Sequence, residues 1–138
     1  MATAKFATPS SLTSSLVTTE LDSLANAGES ALFTYDNSSN LDLYASVTIK
    51  LGSITPSTGG SITLKVYGND GTNVSDKTGG GDSYVLALSS GASAKIVIAP
   101  MVRLYPFSLR FTVTNNSGVT FNAADNDVYV RAYNESVA

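Results

Sequence analysis

The sequence predicts an all-β protein: a single antiparallel β-sandwich of about eight strands, jelly-roll or Ig-like, with an extended N-terminal arm. Three observations carry this expectation. Apolar and polar residues alternate at period two in one run after another. Clusters of Gly, Asn, Asp, Ser and Pro, which favour turns, separate the runs. No stretch keeps a helical period, so the crossover helices that a parallel sheet requires have nowhere to form. A chain of 138 residues is expected to make one domain, long enough to bury a core without disulfide or metal staples. The division is an arm over residues 1–14 and a sandwich domain over 15–138.

Residues 1–14 (MATAKFATPSSLTS) are small, polar and aperiodic. Such a segment is a mobile tail, or an arm that orders on a neighbouring subunit through Phe6 and Leu12. Strands are expected at 15–20, 30–35, 41–51, 61–67, 83–89, 93–99, 105–114 and 127–133. Residues 20–27 (ELDSLANA) allow one short helical turn. In 41–51, Leu41, Leu43, Ala45, Val47, Ile49 and Leu51 share the inward face, while Asp42, Tyr44, Ser46, Thr48 and Lys50 share the outward one. Ile62, Leu64 and Val66 point inward, with Thr63, Lys65 and Tyr67 outward. Phe107, Leu109, Phe111 and Val113 alternate with Ser108, Arg110 and Thr112, and Val128, Val130 and Ala132 alternate with Tyr129, Arg131 and Tyr133. Turns are expected at 26–28 (NAG), 36–40 (DNSSN), 56–60 (PSTGG), 69–71 (NDG), 79–81 (GGG), 90–91 and 115–118 (NNSG).

Composition argues against several classes of function. The net charge is −3 and the eight basic residues are scattered, so there is no electrostatic footprint for nucleic acid. Without cysteine there is no disulfide framework, thiolate zinc site or thiol nucleophile, and without histidine no Ser-His-Asp triad. Two carboxylate pairs, Asp125 with Asp127 and Asp36 with Asp42, have the residue types that glycoside hydrolysis needs. Both pairs lie where turns favour Asp and Asn for backbone hydrogen bonds, which is the simpler account. Asn69, Asp70, Asp76 and Asp82 share a loop with oxygen ligands for calcium, but without the EF-hand spacing. The run 77–81 (KTGGG) has the wrong order for a phosphate-binding loop. Four Asn-x-Ser sequons begin at Asn37, Asn73, Asn115 and Asn134, as chance allows in so Asn/Ser-rich a chain. The N-terminus lacks the apolar stretch of a signal peptide, and the most apolar run, 96–102, is too short to span a bilayer. The expectation is a non-enzymatic protein with no cofactor, no metal, no nucleic acid and no membrane association.

Tyr44, Tyr67, Tyr129 and Tyr133 all fall on outward faces. Tyrosine offers large contact area at low entropic cost, so these residues either pair across strands or form a contact patch for a partner or for sugar rings.

The segment LDSLANAGES…DNSSNLDLYASVTIKLGSITPSTGGSITLKVYGNDGTN, over residues 21–73, and the terminal VRAYNE resemble small all-β structural proteins of tailed-bacteriophage particles. In those proteins a SLAN-G turn precedes a DN-(S/T)-N-LDLYA strand, and a P-(S/T)-(A/G)-G turn leads to a strand ending in a DGTN loop. This chain departs from the pattern at Val74, where an aromatic residue is common. The resemblance implies a virion component made in the bacterial host cytoplasm: a capsid decoration (cement) protein bound to the major capsid protein on the outer surface of the head. The alternative it allows is a tail or head-fibre accessory module that binds a carbohydrate or a host receptor. For a decoration protein, contact is expected through the arm (Phe6, Leu12), the outward tyrosines and the 69–82 loop with Asp70, and a closed homo-oligomer such as a trimer would suit local threefold axes.

Overall fold

The computed structural model describes residues 3–76 and 81–137. Nine strands run through them: β1 (Ala4–Phe6), β2 (Phe33–Asp36), β3 (Tyr44–Ile54), β4 (Ser61–Tyr67), β5 (Gly81–Ala87), β6 (Ser93–Arg103), β7 (Ser108–Asn116), β8 (Asp127–Tyr133) and β9 (Glu135–Val137). All pairings between strands are antiparallel. There is no helix among the described residues, and residues 20–27 form turns instead. One sheet has the order β2-β7-β4-β5, a second β6-β3-β8, and β1 pairs with β9.

The two larger sheets contribute to one core. Ile62, Leu64 and Val66 of β4, with Leu109, Phe111 and Val113 of β7, form one wall. Ala45, Val47, Ile49 and Leu51 of β3, with Val128, Val130 and Ala132 of β8, form the other. Each large side chain buried here contributes about 1.5–3 kcal/mol. Phe33 and Phe111 stack within this core, with ring centres 5.6 Å apart.

The arm is held by its own chain. The backbone N–H groups of Ala7, Ser10, Thr13 and Leu16 donate to the carbonyls of Asn134, Ala132, Val130 and Val128. In return, Val128 and Val130 donate to the side-chain oxygens of Ser15 and Thr13. Three arm residues pass for every two on β8, so no regular ladder forms, yet the outer edge of β8 is capped. Expectation had a mobile tail or a segment ordered by a neighbour. The hydrogen-bonding need of an otherwise open strand edge supplies the order instead.

Three other expectations are corrected. Residues 15–20 are not a strand, because side chains take the backbone donors there. The Glu20 carboxylate accepts from the N–H groups of Thr18 and Thr19, at 2.6 and 3.0 Å. Leu41 and Leu43 do not join the inward face of β3 and are 55% and 47% exposed. Leu41 has φ +54°, so the chain is not extended there and the alternation starts only at Tyr44. Tyr67 does point away from the core as its register requires, but it is fully buried. Its hydroxyl donates to the Glu29 carboxylate, which also accepts from Thr112, and the Lys65 ammonium lies 5.1 Å from its ring centre.

Candidate interaction face

The outward residues of β3 and β8 meet on the outer face of the sheet β6-β3-β8. Cross-strand register sets Tyr44 opposite Tyr133 and Thr48 opposite Tyr129. The Tyr44 and Tyr133 rings stack with centres 5.7 Å apart, and the arm brings Phe6 edge-on to Tyr133 at 5.6 Å. The Tyr133 hydroxyl donates to the Pro100 carbonyl of β6 at 3.0 Å. Burial, and then the neighbouring Tyr44, raise the Tyr133 pKa above its ordinary value, so this hydroxyl stays a donor at neutral pH. A shallow depression of about 330 Å³ lies beside the rings, lined by Phe6, Ala7, Pro9 and Tyr133.

Of the residues singled out in the sequence, Phe6, Tyr44 and Tyr133 form one cluster, and Tyr129 shares their face. Leu12 lies on the arm and is 45% exposed. Tyr67 is removed from any contact surface by its burial under Glu29. Asp70 belongs to a different place, the loop after β4.

That loop is organised by its own amides. One Asp70 oxygen accepts from the N–H groups of Thr72 and Asn73, and the other from the Asn73 side chain. Asn69 accepts from the Gly71 N–H and donates to the Ser108 carbonyl. Gly71, at φ +93°, lies flat against Phe107, where a Cβ would come within 3.0 Å of the ring. The Asp70 oxygens therefore already serve the turn, and Asp82 accepts from the Tyr105 hydroxyl at 3.3 Å. Among the described residues no three acidic side chains gather as a metal site would need. The run 77–80 lies outside the described residues. Hydrogen bonds, first from the Asn73 N–H, lower the Asp70 pKa to about 2 from an ordinary 3.8. The folded value is the depressed one, so the stabilisation that the ionised carboxylate gives the turn is fully present above the ordinary range and is lost as the pH falls through about 2. An NMR titration should place the Asp70 carboxyl midpoint there. A midpoint at 3.8 would show that the amide cap does not hold.

Asparagines that the sequence presented as sequons, two of them also as turn residues, hold backbone groups together, two of them close to this face. Asn37 is fully buried, donates to the carbonyls of Asp42 and Tyr105, and accepts from the Asp42 N–H. Asn134 accepts from the Leu43 N–H and donates to the Asp42 carboxylate, while its carbonyl receives the Ala7 N–H. The arm, the end of β8 and the residues leading into β3 thus converge on Asn134, through its backbone carbonyl and its side chain, beside the aromatic cluster. Asn115, also fully buried, clips the carbonyls of Leu24 and Val119 in the same way. For Asn37 the available signal was an Asn in a polar turn directly before an alternating run.

The Asp36 pKa is lowered by hydrogen bonds from Ser38, the opposite of what a general acid requires. Asp42 is buried, and its Oδ2 has no hydrogen-bond partner. Comparison of the chain with family models, with curated proteins and with solved structures finds no match.

Proposed function

We propose that the chain is a non-enzymatic structural protein of a tailed-phage particle, a decoration protein that binds the major capsid protein on the outside of the head. The observation that carries this reading is the aromatic cluster of Phe6, Tyr44 and Tyr133. It joins the arm to the outer face of β3 and β8 and leaves the Phe6 ring exposed beside two amphipathic tyrosines. Aromatic anchors of this kind dominate protein contacts. The resemblance over residues 21–73 supports the assignment to a virion.

The same reading makes the fold a sandwich of jelly-roll connectivity. If the arm counts as the strand beside β8, the sheets read 1-8-3-6 and 2-7-4-5, the alternating order of two interleaved Greek keys. On the same count an Ig-like order would place β2 between the arm and β5, whereas β2 pairs with β7.

Cosedimentation with heads assembled from the particle's major capsid protein tests the function. Wild-type protein should saturate the heads, and Phe6→Ala with Tyr133→Ala should weaken binding by roughly 30-fold, the effect of losing an interfacial hot spot. Thermal melts of both proteins separate lost contact from lost fold. Absence of binding, together with saturable hits on a glycan array lost in the same variant, would replace decoration with a receptor-binding module.

A further inference from the structure

The two flanks of the molecule differ. On one, the arm caps β8. On the other, the sheets end in β5 and β6, and no strand among the described residues pairs with the outer edge of either. Hydrogen-bond parity identifies the open groups. The carbonyls of Val128, Val130 and Ala132 face the arm, so Asp127, Tyr129, Arg131 and Tyr133 face β3. Their partners, Lys50, Thr48, Ser46 and Tyr44, therefore face β8, which leaves Ala45, Val47, Ile49 and Leu51 facing β6. These pair with Val102, Ala99, Val97 and Lys95, so Ala94, Ile96 and Ile98 direct their backbone outward. The Leu104 N–H to Leu43 carbonyl bond obeys the same parity. In the other sheet, β7 donates to and accepts from residues 27–30 through Val113 and Asn115, so by the same count Ser83, Val85 and Ala87 face outward on β5.

This open flank is apolar where it is large. Val85 is 70% exposed, Ile96 62% and Ile98 50%. Its outward residues, Ser83, Val85, Ala87, Ala94, Ile96 and Ile98, carry no charge, and Lys95, between Ala94 and Ile96, is turned inward and buried. Long apolar edges with open donors are templates for another strand.

We propose that this flank pairs with the same flank of a second copy, with β6 joined antiparallel to β6 across a twofold axis. A single extended peptide could satisfy one edge, but two edges from two stacked sheets match a partner that has two such edges, as a second copy does. A neutral seam brings no like charges together, although each chain carries −3. Pro100 chooses the register. Pairing centred on Ile96 uses the N–H groups of Ala94, Ile96 and Ile98, whereas pairing centred on Val97 sets Pro100, which has no N–H, opposite Ala94. The three large side chains offer on the order of 100 Å² each, and with the backbone the pair approaches the ~1,000 Å² of a specific contact. The dimer is accordingly weak and concentration-dependent. It does not depend on the proposed role in a virion, because its groups lie away from the Phe6 cluster.

Sedimentation velocity over two decades of concentration tests it. The mass should rise from 14.3 kDa toward twice that value. Ile96→Lys, which opposes two lysines at the axis, should raise the dissociation constant at least tenfold. Ile98→Pro, which removes an edge N–H that the β3 ladder does not use, should do the same. Circular dichroism melts check that both variants fold, and slowed amide exchange at Ile96 and Ile98 on dimerisation would locate the contact. A monomer throughout, a trimer, or a dimer indifferent to both folded variants would overturn the proposal.

Discussion

Val47→Asp is expected to abolish folding. Val47 is fully buried at the middle of β3, between Ala99 of β6 and Val130 of β8. A carboxylate there has no counter-charge on either neighbour, and the effective penalty is several kcal/mol per ion. A domain of this size is stable by roughly 5–15 kcal/mol in total, so one such charge removes much or all of it. The neighbouring Ser46→Asp supplies the contrast. Ser46 is on the outer face opposite Arg131, where an aspartate meets a cation at the surface and should leave the melt nearly unchanged. Far-UV circular dichroism of the two variants checks the register. Two normal melts would sink it, because position 47 would then have to face water.

Asn37→Ala should be the most damaging loss of a polar side chain near the interaction face. The substitution strands three backbone groups: the Asp42 N–H, the Asp42 carbonyl and the Tyr105 carbonyl. Leaving buried groups unsatisfied costs about 1–3 kcal/mol each, less whatever water recovers, so a loss of roughly 2–4 kcal/mol is expected. Urea unfolding measures it. Because Asn37 organises the turn that sets Asp42 against Asn134, the variant should also loosen the arm, visible as faster amide exchange at Ala7. A change under about 0.5 kcal/mol, the usual range for an unremarkable surface position, would mean that this side chain is not the clip its geometry indicates.

Much of the fold was legible in the chain because alternation is a local property of extended backbone. Residues 61–67 and 127–133 form strands with the expected bounds and faces, each a clean period-two run between turn signals. For the candidate face, the same periodicity marked Tyr44, Tyr129 and Tyr133 as outward, and all three share one side of a sheet. Failures came where a side chain displaced the backbone from extended geometry. Glu20 takes the amides of Thr18 and Thr19, and Leu41 adopts a left-handed conformation next to the Asn37 clip. An alternating pattern contains no record of such local competitors.

Periodicity thus set which way a residue within a strand points, and with it the all-β class, most of the strand positions and the two halves of the core. Whether an outward face meets water, another segment or a second molecule depends on residues far away in the chain. Tyr67 is outward and still buried, because Glu29, 38 positions earlier, closes over it. The arm has no pattern of its own, and acquires order because Ala132 and Val130 present carbonyls that Ser10 and Thr13 can reach. Ile96 and Ile98 stay exposed because nothing among the described residues returns to cover β6. Direction is decided by the backbone of one strand, whereas coverage is decided by hydrogen bonds and packing between segments that only the folded chain brings together.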